Sequence, residues 1–180
     1  MTKFRFTKVV AALLLVSLLT IACLHKSPPE PPPPEPQPTS PVQQAPLKQV
    51  GLVNDYANVF DDAAKTRLLF TINELRTNSD VQFVVATVES TNGQSIFDYS
   101  LALARDWRPG GESGRGLLLV LAIRDRQWRL QVSKALEKDL PDQVCKELGT
   151  RSEELYKQGK YAEGIDLYVR AIGDKLQVKR

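Results

Sequence analysis

The chain has 180 residues, 42% of them hydrophobic and 25% charged, and a formal net charge of +3. Its single histidine is His25, so the stretch from Leu47 onward has none. That excludes a Ser-His-Asp triad, a Cys-His dyad, a His general base and a His-ligated zinc within one copy of this domain. Four of the 24 Lys/Arg and two of the 21 Asp/Glu precede Leu47, which leaves a near-balanced 20 against 19. The basic character of the whole chain is therefore no nucleic-acid footprint, and no nucleic-acid partner is expected.

Lys3, Arg5 and Lys8 precede an uncharged apolar run, Val9 to Ala22. Fourteen residues fall short of the roughly twenty needed to span a bilayer as a helix, and they fit the h-region of a signal peptide. The run ends in Leu19-Thr20-Ile21-Ala22-Cys23, which resembles the lipobox of bacterial lipoproteins, although Thr20 stands where Leu is usual. The resemblance implies cleavage before Cys23 and lipidation of that cysteine by a diacylglyceryl group and an N-acyl chain such as palmitate. Two or more chains give stable anchoring at about 0.8 kcal/mol per buried methylene. The expected location is the cell envelope, on the periplasmic or extracytoplasmic side. Leu24 after the cysteine favours the outer membrane in a Gram-negative host.

Residues 23–46 read as a disordered linker. Ser27 to Pro46 holds ten of the twelve prolines and almost nothing large and apolar. Such a segment buries too little surface to offset its ordering entropy. As polyproline II, at about 3.1 Å per residue, it would reach on the order of 60 Å from a membrane.

Residues 47–180 read as one domain with an adequate core. A helix capped by Asp61 or Asp62 is expected to run to about Asn78, with Leu68, Ile72 and Leu75 on one face. Val81 to Val88 and Gly116 to Ile123 are almost wholly apolar, as strands buried on both faces are. Between them, Ser95 to Trp107 carries Ile96, Tyr99, Leu103 and Trp107 at helical spacing. Gln127 to Ser133 alternates, which predicts a half-exposed strand paired to its predecessor through a turn at Arg124-Asp125-Arg126. Two or three helices follow from Pro141 to Gln177. The order implies an α/β fold, a mixed β-sheet with helices packed on both faces.

The ordered pieces resemble the TPM-domain family. Val53-Asn54-Asp55-Tyr56-Ala57-Asn58-Val59-Phe60 is similar to its opening motif, Gln82 to Val88 to its first long strand, and Tyr99 through Trp107 to its Trp-ended helix. Gly116-Leu117-Leu118-Leu119-Val120, Asp125-Arg126-Gln127-Trp128, Leu136-Glu137 and Pro141-Asp142 continue the series. The likeness implies an envelope protein, and family members have been assigned acid phosphatase activity and divalent-cation binding. Ser133-Lys134-Ala135 stands where the family usually has Gly-x-Gly, which counts against that chemistry here. Glu154 to Ile172 is also similar to one turn of a tetratricopeptide repeat, but no second copy precedes it, and packing against the sheet explains the same residues.

Two candidate sites follow. Asp55, Asp125, Glu137 and Asp142 would hold Ca²⁺ or Mg²⁺ if they converged at one sheet end, and otherwise serve as surface and capping groups. Gly114, Arg115 and Gly116 lie in a glycine-rich loop that could cradle an anion, or simply connect two elements. Cys145 reads as a small buried hydrophobe. The expectation is a lipid-anchored, non-catalytic accessory of an envelope or membrane protein complex. The alternative is a metal-assisted phosphomonoesterase working through carboxylates.

Overall fold

A computed structural model describes residues 47–177, so the signal peptide, Cys23 and the proline-rich linker lie outside the described residues. Among the described residues, four strands form one sheet: β1 (Val53–Asp55), β2 (Gln82–Val88), β3 (Gly116–Ala122) and β4 (Gln127–Val132). Four α-helices accompany them: α1 (Asp62–Ser79), α2 (Ile96–Trp107), α3 (Asp142–Lys157) and α4 (Tyr161–Gln177).

β1, β2 and β3 are parallel neighbours in chain order, and β4 returns antiparallel to β3. The apolar runs occupy the centre as expected: every residue of β3 and all but the first of β2 are buried. Successive side chains point to opposite faces and feed two cores. On one face Phe83, Val85, Leu119 and Leu130 meet α1 and α4 through Leu68, Ile72, Ile165 and Tyr168. On the other, Val84, Ala86, Leu118 and Val120 meet α2 through Leu103, Ile96 and Tyr99. Full burial of each such side chain contributes about 1.5–3 kcal/mol.

The helix boundaries have local causes. The Asp61 carboxylate accepts from the Ala64 amide at 2.6 Å, and α1 ends on Asp80 in the left-handed region. Ser95 caps α2 through the Asp98 amide. Alternation along β4 sends Trp128, Leu130 and Val132 to the first core. Arg129 stacks over Phe97 of α2, its guanidinium carbon 5.2 Å from the ring centre, and Gln131 donates to Ser100 Oγ. α3 and α4 pack on the sheet through α1's side of it, and the Tyr168 hydroxyl, itself buried, donates to the Cys145 carbonyl at 2.8 Å. The segment resembling a repeat is thus part of the main core.

One topological feature positions the site. Both crossovers, β1–α1–β2 and β2–α2–β3, move one strand in the same direction across the sheet. Because α1 and α2 cover opposite faces, the two crossovers have opposite hands. One is therefore the left-handed kind that is rare in parallel sheets. The chain leaves β1 toward one face and β2 toward the other, the switch point beyond whose carboxyl ends open α/β sheets place their ligand crevice.

Candidate functional site

Asp55 closes β1 at that crevice, in register with Thr87 of β2. Its carboxylate is only 3% exposed. It accepts from the Thr87 hydroxyl at 2.6 Å, the Phe60 amide at 3.0 Å and the Val59 amide at 3.1 Å. Lys65 of α1 stands 3.6 Å away and offsets the charge. These partners fold the β1–α1 loop back over the acid. Val59-Phe60 is thereby fixed immediately before the α1 cap.

Asp125 lies in the β3–β4 turn, at the same end of the sheet. It accepts from the Thr91 amide at 2.7 Å and the Ser90 hydroxyl at 2.9 Å, while the Thr91 hydroxyl, 3.0 Å away, shares its one proton with the Gln94 carbonyl at 2.6 Å. The Thr91 amide is the main reason its carboxyl titrates below the usual range, with the two hydroxyls and Arg124 assisting against partial burial. Asp55 pins the loop after β1, and Asp125 pins the loop after β2. A carboxylate held by two or three donors of its own chain has fewer lone pairs left for a ligand.

The other two predicted acids lie elsewhere. β4 runs back from Gln127, opposite Ala122, to Val132, opposite Leu117. Glu137 follows that return and sits exposed beyond the amino ends of the parallel strands. Asp142, in the first turn of α3, faces Arg129, whose Nη2 reaches both carboxylate oxygens at 3.1 Å. The structure brings Asp55 and Asp125 to one end and leaves Glu137 and Asp142 away from it. Among the described residues, no three His, Cys, Asp or Glu side chains are grouped so as to hold a metal ion.

The glycine-rich loop is closed on itself. The Gly110 amide donates to Gln82 Oε1 at 2.6 Å, the Gly114 amide to the Gly110 carbonyl at 3.2 Å and the Gly116 amide to Ser133 Oγ at 3.0 Å. Arg115 directs its own amide at Ser113 Oγ and its guanidinium at the Ser79 carbonyl, 3.4 Å away. The loop's amides thus face inward rather than into a shared cradle. Gly116 has a packing reason, since a Cβ there would lie 1.8 Å from the Pro109 carbonyl oxygen.

Cys145 is buried, as its neighbourhood in the sequence suggests, and burial followed by the nearby Asp142 pushes its thiol up to about 11. A thiol so placed is a poor nucleophile at neutral pH. Sequence reasoning missed Thr87, Ser90 and Thr91, the donors that engage the two aspartates. Their partners lie 32 to 35 residues away, and no local pattern marks them. Among the described residues no helix is long and apolar enough to cross a membrane.

A family model described as the TPM domain matches residues 53–175, from β1 into α4. Among solved structures, the N-terminal domain of a P. gingivalis protein is similar at 29% identity with a TM-score of 0.64, covering 71% of this chain and 83% of that one. The N-terminal domain of a Corynebacterium glutamicum protein matches at 17% identity and TM-score 0.58, over 76% of this chain and 86% of that one. A protein of the psychrophilic bacterium Bizionia argentinensis matches at 16% identity and TM-score 0.59, over 65% and 81%. The last two likenesses speak to the fold alone. No curated protein sequence matches the chain. Over the strands, loops and helices that build the crevice, this chain belongs to the TPM-domain family.

Proposed function

We propose that the protein is a lipid-anchored envelope lipoprotein whose TPM domain serves as a non-catalytic interaction module of an envelope or membrane protein complex. The observation that carries the non-catalytic half is the state of the crevice acids. Asp55 and Asp125 stand where an α/β sheet presents its chemistry, yet each is engaged by donors of its own chain, three at Asp55 and the Thr91 amide and Ser90 hydroxyl at Asp125. A general base or a metal ligand needs a lone pair that no internal donor occupies. These two hold loops in place, and a fixed pair of loops at one end of a sheet is a platform for recognition.

The anchored half rests on the basic leader, the short apolar run and Cys23. Labelling of intact cells with a palmitate analogue tests it. Label on the wild type that is absent from Cys23→Ser supports the anchor, and equal label on both removes it. Affinity capture from the protein's own membranes, with the lipidated full chain as bait, tests the module: a stoichiometric membrane partner is expected, and none recovered counts against it.

A further inference from the structure

A concavity lies where the β3–β4 turn that carries Asp125 meets the α3–α4 turn. Its volume is about 560 Å³. That is within the range of about 300–1,000 Å³ typical of ligand sites. Its wall is aromatic. Trp128 and Tyr156 meet edge to face with centroids 6.1 Å apart, and Tyr156 and Tyr161 stack at 6.5 Å with their planes 24° apart.

Two glycines set that wall. A Cβ at Gly149 would lie 2.4 Å from the Trp128 ring, and one at Gly164 would lie 2.5 Å from the Tyr156 ring. Each ring is therefore seated against helix backbone and held in one place. Rigid aromatic walls recognise apolar side chains at low entropic cost.

The rim carries the charge information. Lys157 is already paired with Glu153 at 3.3 Å and Glu154 at 2.8 Å. Arg126, exposed and lining the same cavity, has no ion pair among the described residues. Its backbone is left-handed, with φ of 52°. This is the last position of the four-residue hairpin turn, where glycine sits without steric cost. Beside the aromatic cavity, exposed and without an ion pair among the described residues, the Arg126 guanidinium is open to a carboxylate from outside the chain.

From this arrangement we infer that the cavity docks a short acidic-aromatic segment of a partner protein. An aromatic side chain packs against the wall of Trp128, Tyr156 and Tyr161, and an adjacent carboxylate pairs with Arg126. The inference rests on the interaction-module reading and names the surface and the partner's chemistry.

The test uses the full chain in detergent micelles and fluorescein-labelled tripeptide amides read by anisotropy. Glu-Phe-Glu is expected to bind, with Glu-Ala-Glu and Lys-Phe-Lys weaker. Arg126→Gly should raise the melting temperature while weakening Glu-Phe-Glu about fivefold, the loss of one partly exposed ion pair. Tyr161→Ala should weaken it as well. Arg108 is the control, because it too is an exposed arginine with positive φ, at the end of α2. Arg108→Gly removes the same charge and relieves the same backbone conformation, and it should leave binding unchanged. Equal binding of the three peptides, or equal effects of Arg126→Gly and Arg108→Gly, would overturn the site. Capture from native membranes separates the two readings. A partner recovered equally by wild type and Arg126→Gly overturns this surface and keeps the module. Selective peptide binding with no membrane partner keeps the surface and removes the module.

Discussion

The Asp55 carboxylate accepts the Thr87 hydroxyl at 2.6 Å across the point where β1 and β2 send the chain to opposite faces of the sheet. With the Val59 and Phe60 amides on the same group, one side chain fixes the strand pair and the loop that leaves it. Asp125 does the same for Ser90-Thr91. Two of the four candidate metal-ligating acids are thus fastenings of the loops at one end of the sheet.

Removing the Asp55 carboxylate leaves two amides and a hydroxyl unsatisfied in a buried place. Asp55→Ala is expected to destabilise the domain by about 2–4 kcal/mol, because orphaned buried donors incur their full desolvation cost. Asp55→Asn keeps one acceptor oxygen and should lose less. Urea titration followed by circular dichroism measures both, and a loss below about 0.5 kcal/mol for the alanine variant would contradict a structural role.

Asp125 gives the fold a pH dependence of known sign. Its folded-state carboxyl titrates below the unfolded value because the Thr91 amide favours the charged form. The resulting stability is present above the unfolded value of about 3.9 and is lost as pH falls through the depressed folded value. Asp125→Asn should therefore show a flatter fall in melting temperature between about pH 5 and pH 2. A parallel curve for the two proteins would remove this assignment.

Gly164 sits where Tyr156 of α3 crosses α4. Alanine is the better helix former by about 1 kcal/mol, yet its Cβ would meet the tyrosine ring at 2.5 Å and the Ser152 carbonyl at 3.0 Å. Overpacking of about 1–3 kcal/mol should win, so Gly164→Ala lowers the melting temperature. An unchanged or higher value would mean that the α3–α4 contact is looser than described.

The Cys145 thiol, buried and held up to about 11, should resist Ellman's reagent at pH 8 in the folded protein and react fully in urea. Rapid labelling of the native domain would show that the α3 end opens readily.

Much of the fold was legible because its signals are local. The apolar runs of β2 and β3, the alternation of β4 and the Asp61 cap each lie within a few residues. The hairpin at Asp125 was legible too, although its turn takes in Ile123 as well as Arg124-Asp125-Arg126. The gathering of the acids was not. Spacing along the chain says nothing of which sheet end a residue reaches, and the antiparallel return of β4 carries Glu137 to the end opposite Asp55. Nor could the opposite hands of the two crossovers be read, since they depend on which face each helix covers. The aromatic wall escaped for the same reason: Trp128, Tyr156 and Tyr161 meet only when α3 and α4 fold onto β4.

The central claim is that the crevice acids hold the fold and do no chemistry. It is tested most directly by assaying the full chain for phosphomonoester hydrolysis, with and without millimolar Ca²⁺ or Mg²⁺, beside Asp125→Asn and the exposed-site variant Glu137→Ala. The account predicts no turnover above buffer for any of the three, with or without metal. Metal-dependent turnover by the wild type that Asp125→Asn or Glu137→Ala abolishes, while the variant stays folded, would contradict it.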